Sequence, residues 1–156
     1  MARPAIRIEL KGLDDLRRKL APRTYEKAVA NLMEDIAIVG ERTAKQRAPR
    51  DTGALKRSIH SAVKPTSARI FSNLNYAVPV EYGRGRGKRM PPPNALHGWL
   101  RRHGIPVSAA YVVARAIGRR GIKGRFFMKA AVDAINMKLP FMLKRASGGV
   151  AKKWSD

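Results

Sequence analysis

The sequence predicts an α+β fold: one long helix packed on a small, mostly antiparallel sheet, with additional C-terminal helices. Three features predict it. A run from about Thr24 to Ala48 places apolar or small residues at three- and four-residue steps. Two short extended segments, Ile59 to Lys64 and Ala68 to Ser72, flank the turn residues Pro65, Thr66 and Ser67 and read as a hairpin. The second half of the chain reads as helices punctuated by glycine and proline.

Each element has its own signal. Ile6, Ile8 and Leu10 alternate with Arg7, Glu9 and Lys11, the pattern of a half-buried strand, and Gly12 ends it. Leu13, Leu16 and Leu20 recur at helical spacing. Asp14 and Asp15 come early and Arg17, Arg18 and Lys19 late, as the helix dipole favours, and Pro22 is expected to close this short helix. The long helix carries Tyr25, Val29, Leu32, Met33, Ile36, Gly40, Thr43, Ala44 and Arg47 on one stripe, with Thr24 as its expected cap and Pro49 as its stop. At roughly 35 Å of length, it needs a sheet or partner helices to cover that stripe. Asp51, Thr52 and Gly53 are turn residues. Tyr76 to Tyr82 reads as extended or mixed, with Pro79 at an edge or in a kinked turn.

Residues 84–93 are expected to be a flexible basic loop. A helical insert is expected over 94–120, with one helix from Asn94 to about His103 and another capped by Ser108. The last helix should span about Phe127 to Arg145, kinked or split at Pro140. These elements make one domain, 1–146, followed by a basic tail, 147–156, that contains Trp154.

Composition narrows the function. A chain of 156 residues that is 44% hydrophobic is a single globular domain and not a disordered one. With no cysteine, disulfides and thiolate metal sites are excluded, and a reducing cytoplasm fits. No signal peptide is expected, and no apolar run approaches the ~20 residues of a membrane span. The formal net charge is +22. It is uneven: residues 1–81 carry +7 and residues 82–156 carry +15, with no acid between Glu81 and Asp133. Such a field favours nucleic acid, an acidic partner surface or anionic lipid.

No catalytic, cofactor-binding or metal site is expected. Arg84-Gly85-Arg86-Gly87-Lys88 lacks the spacing and the hydroxyl residue of a phosphate loop. His97 and His103 are six residues apart, on different faces of a helix, with no nearby acid to complete a metal site. Ser58 and His60 stand in a strand context with no nucleophile elbow. Only Asp133 and Asp156 follow Glu81, a poor supply for a metal-dependent nuclease.

Four landmarks, in order, carry a resemblance. They are Ile8-Glu9-Leu10-Lys11-Gly12-Leu13-Asp14-Asp15-Leu16, Pro49-Arg50-Asp51-Thr52-Gly53-Ala54-Leu55-Lys56-Arg57-Ser58-Ile59, Asn75-Tyr76-Ala77-Val78-Pro79-Val80-Glu81-Tyr82-Gly83 and Phe127-Met128-Lys129-Ala130-Ala131. Together they resemble the signature of the tail-component, or tail-completion, family of long-tailed bacteriophages and prophages. Arg125 and Phe126 stand where that family commonly has proline, and residues 94–120 are longer than in its shortest members.

The resemblance implies a structural virion protein and no enzyme. It implies a subunit of a homo-oligomeric ring, a hexamer, that completes the tail and joins it to the head connector. Such a protein is made in the host cytoplasm and resides in the virion at the head–tail junction. Its partners would be copies of itself, tail tube or terminator proteins and the connector, with non-specific contact to genome DNA in the lumen and none to membrane.

Pro49, Asp51, Thr52, Gly53, Leu55, Ser58, Tyr76, Ala77, Glu81, Gly83, Phe127 and Ala131 are then motif positions with structural roles. Asp51 to Gly53 would turn the chain from helix to sheet, with Gly53 free to take positive φ, and Ser58 would bond backbone at the strand start. Glu81 is either the partner of an arginine, from the loop or a neighbouring subunit, or an ordinary surface carboxylate. Arg84, Arg86, Lys88 and Arg89 would face a neighbouring subunit, an acidic surface or phosphates. The alternative reading is a small basic nucleic-acid-binding protein.

Overall fold

The computed structural model describes residues 6–9 and 22–151. The expected helix around Leu13 to Leu20 and the residue Trp154 lie outside the described residues. Contacts group the chain into two compact units: unit 1 comprises residues 1–77 and 126–156, and unit 2 comprises residues 78–125.

Unit 1 is the α+β body. Strand β1, Ile6–Glu9, is followed by α1, Pro22–Arg47, and the short helix α2, Ala54–Ser58. Next come β2, Ile59–Lys64, and β3, Ser67–Ser72. The three strands form one antiparallel sheet in the order β1-β3-β2. Lys64 pairs with Ser67 across the two-residue turn, so the register puts Ile59 opposite Ser72 and Ser61 opposite Ile70. Paired residues share a face, and this face carries the buried Ile59, Ala68, Ile70 and Ser72.

Helix α1 covers that face: Val29, Leu32, Met33, Ile36 and Ala44 of the expected stripe are buried, and so is Ala37, while Arg47, expected on the stripe, is exposed. It begins at Pro22, two residues before the expected cap. Proline suits a first helical position because its missing N–H would have no intrahelical acceptor there. Gly40 lies against the sheet. A methyl group on it would come within 2.7 Å of Ile70 Cδ1 and 3.0 Å of Ile135 Cδ1.

The unit closes with α6, Phe127–Ala151, which packs along α1 and buries Phe127, Met128, Ala131, Ile135 and Met142. The helix is continuous through Pro140, so the expected split does not occur there. Proline removes one N–H from the helix ladder, and packing against α1 on both sides of that position, through Ile135 and Met142, offsets the loss.

Unit 2 is built from short pieces. Helix α3, Ala77–Tyr82, leads into β4, Gly83–Arg84. A 3-10 turn at Pro93–Leu96 precedes α4, His97–Arg102, and a second at Val107–Ala109 precedes α5, Ala110–Arg120. Strand β5, Ile122–Lys123, then pairs antiparallel with β4. The core of the unit is small: Leu100, Ala110 and Ala114 are buried. The segment 77–82 is helical, which corrects the extended reading of Tyr76 to Tyr82. Pro79 is the third residue of α3, inside the first turn, where a proline removes no helical hydrogen bond.

Candidate functional site

The motif from Pro49 to Ile59 is a helix-to-sheet corner. Ala48 N–H donates to the Ala44 carbonyl at 2.9 Å and ends α1. The chain then turns through the exposed Asp51 and Thr52. Gly53 takes φ 77, left-handed backbone that glycine adopts without the clash a Cβ would cause. Thr52 holds the corner twice: Ala54 N–H donates to its Oγ1 at 3.3 Å, and Arg57 Nη1 donates to its carbonyl at 3.2 Å. Leu55 drives the short helix α2 into the core.

Ser58 ends the corner in a relay of hydroxyls. Ser58 Oγ donates to the Leu55 carbonyl at 2.8 Å, and it lies 2.8 Å from Ser72 Oγ on β3. A hydroxyl has one proton, so Ser72 donates to Ser58. Ser72 in turn accepts from Leu74 N–H at 3.3 Å. The sequence reading assigned Ser58 a backbone bond but gave no role to Ser72, which is fully buried.

The second motif runs through α3 into β4. Ala77 is buried and Tyr76 is about half exposed. Glu81 is only 2% exposed, which removes the surface-carboxylate alternative. A carboxylate at that depth belongs to the internal structure of the protein. Gly83, at φ 79, starts β4 opposite Lys123. Of the third motif, Phe127 and Ala131 are both completely buried in unit 1 and serve its core.

The four cations of the expected loop divide by role. Arg84 is half-buried in β4, its guanidinium donates to the Arg89 carbonyl, and its Nε has no hydrogen-bond partner among the described residues. Arg86, Lys88 and Arg89 are exposed. The backbone that carries them is held against the end of α5, where Gly87 N–H donates to the Gly118 carbonyl at 3.0 Å. Gly121 allows the approach: a Cβ there would stand 2.3 Å from the Arg84 carbonyl oxygen, and its φ is 74.

One polar site escaped the sequence reading. Glu41 on α1 accepts from Ser61 Oγ on β2 and from Lys45 Nζ, each at 2.5 Å. Burial pushes its carboxyl up, but the bonds from Lys45 and Ser61 and the charge of Lys45 outweigh that and hold it below the usual carboxylate range. The three side chains line an open groove of about 490 Å³ with Ile38, Arg42, Gln46 and Lys56. The i, i+4 spacing of Glu41 and Lys45 was visible in the sequence. The partner twenty residues away was not.

Among the described residues no group of histidine and acid side chains has the makings of a metal site. No helix among them is long and apolar enough to cross a membrane. The singled-out residues thus build a corner, a strand start and a core, the arrangement of a structural α+β domain. Residues 10–83, just under half of the chain, match the HK97-gp10-like family model, "Bacteriophage HK97-gp10, putative tail-component". That match bears out the resemblance read from the motifs and supports a structural role as a phage tail component, with a place in the virion. No curated protein and no solved structure matches the chain.

Proposed function

We propose that this chain is a structural, non-catalytic subunit of a homo-oligomeric ring, a hexamer, that completes a phage tail and joins it to the head connector. The observation that carries the reading is the family match over residues 10–83. The hydrogen bonds of the Asp51 to Ser58 corner support it. There Thr52 accepts from Ala54 N–H and from Arg57, and Ser58 bonds to the Leu55 carbonyl and to Ser72 of β3. Self-association is supported by α6. Its buried stripe faces α1, while Met137 and Phe141, one turn apart, stay 76% and 70% exposed. Large apolar side chains left bare on one helix face are the kind of surface a neighbouring copy covers.

The partners in this reading are other copies of the chain, tail tube or terminator proteins and the head connector, with genome DNA passing through the lumen. A second reading, a small basic nucleic-acid-binding protein, is favoured by the net charge of +22. Electron microscopy of the tagged, nuclease-treated protein mixed with tail tubes of its phage separates the two. The proposal expects label at one end of each tube. Label on added DNA with none at the tube ends overturns it in favour of the second reading.

A further inference from the structure

We infer that unit 2 carries a phosphate-binding face for duplex DNA, assembled from two segments that are distant in sequence. Unit 2 holds eleven lysine and arginine residues and one acid, the buried Glu81. Its surface therefore has no carboxylate to neutralise those cations. The structure brings the cations of two segments together. Strand β4 pairs with β5, Arg84 opposite Ile122, and the Gly87 to Gly118 bond lays the following backbone along the end of α5. Gly118 approaches Met90 so closely that a Cβ would lie 3.3 Å from its Cα. Arg86, Lys88 and Arg89 from the first segment thus share a surface with Arg119, Arg120 and Lys123 from the second, and all six side chains are exposed.

The face is pre-formed. Arg84 is occupied in bracing it through the Arg89 carbonyl and is not among the free cations. Pre-formed cations lose less freedom on binding than those of a free chain. The chemistry favours phosphate over an acidic protein. Cores of protein–protein interfaces are depleted of charge, whereas DNA interfaces are strongly positive. Nine of the eleven cations in the unit are arginine, whose fork matches phosphate oxygens. Backbone contacts of this kind position the duplex without reading its sequence.

The choice of duplex DNA rests on the tail-component reading, since a tail conducts a genome. The test is anisotropy of a labelled 30-base-pair duplex with the full chain, titrated across salt. The triple variant R86Q/K88Q/R89Q should lose on the order of a hundredfold in affinity at 0.1 M salt, with the salt slope reduced by two to three. A second triple, R119Q/R120Q/K123Q, should do the same. The unit 1 control K27Q/K64Q/K138Q should change affinity by less than about threefold.

Equal losses in all three variants overturn the inference, because net charge alone would then be acting. Displacement of the duplex by polyglutamate at matched charge overturns it in favour of an acidic protein partner. Mass in the same buffer keeps the two readings apart: a ring without patch-dependent binding defeats only this inference, and a monomer with patch-dependent binding defeats only the ring.

Discussion

Ser61 Oγ donates a 2.5 Å hydrogen bond to Glu41 Oε2 and so fastens edge strand β2 to the long helix. Lys45 holds the other carboxylate oxygen from the next turn of the same helix. Bonds to a charged group are stronger than neutral ones, and this one joins the helix to the edge of the sheet. Glu41→Gln should lower stability at neutral pH by about 1 kcal/mol. The folded carboxyl is held below its usual range, so this contribution is present above the ordinary carboxylate pKa. It is lost as pH falls through the depressed folded value. Denaturant melts of both proteins from pH 7 to pH 3 check this: the gap should close on acidification, and a gap that widens or stays constant contradicts it.

Gly40 faces Ile70 across the helix-to-sheet packing of unit 1, where a Cβ on the glycine would stand 2.7 Å from Ile70 Cδ1. Gly40→Ala improves helix propensity by about 1 kcal/mol but drives a methyl into Ile70 Cδ1. Overpacking of this sort costs about 1–3 kcal/mol, so a net loss is expected. Ile70→Val removes the clashing Cδ1. The double variant should therefore be more stable than the sum of the single effects, measured as a double-mutant cycle.

The relay from Leu74 N–H through Ser72 and Ser58 to the Leu55 carbonyl is interior to unit 1. Ser72→Ala leaves Leu74 N–H without that acceptor and Ser58 without its donor, at a cost of about 1–3 kcal/mol. Ser58→Ala should cost a similar amount. The pair together should cost clearly less than the sum, because each single change already breaks the same chain.

Phe126 holds φ 49 immediately before α6 and accepts the first helical bond, from Ala130 N–H. Proline is confined to φ near −65°, so this backbone does not suit it. Phe126→Pro should destabilise by more than about 1 kcal/mol. Phe126→Asn, which tolerates left-handed backbone, should stay closer to the parent in thermal melts.

What could be read in the sequence was local. The stripe of α1 and the hairpin around Pro65 follow from side-chain period, and the structure keeps both. The misreadings were of proline. Pro79 reads as the mark of an edge or a kinked turn, yet it sits in the first turn of α3, where no helical bond is lost; the short helix that Pro22 is expected to close lies outside the described residues. Bonds between distant residues leave no periodic trace, so Glu41–Ser61 and Ser58–Ser72 went unseen. The pairing of β4 with β5 is only two residues long, too short to alternate, and the union of Arg86 with Arg119 on one face was hidden with it. The motif residues were nameable in advance through the family resemblance, and those from Asp51 to Gly53 also through their turn chemistry.

The proposed ring of tail-component subunits stands or falls on the mass of the protein in solution. Light scattering after size exclusion, on nuclease-treated protein at low and high salt, should give a species of about six 17.3 kDa chains that persists in high salt. A monomer that becomes a larger species only when nucleic acid is added would contradict the account and favour a nucleic-acid-binding protein.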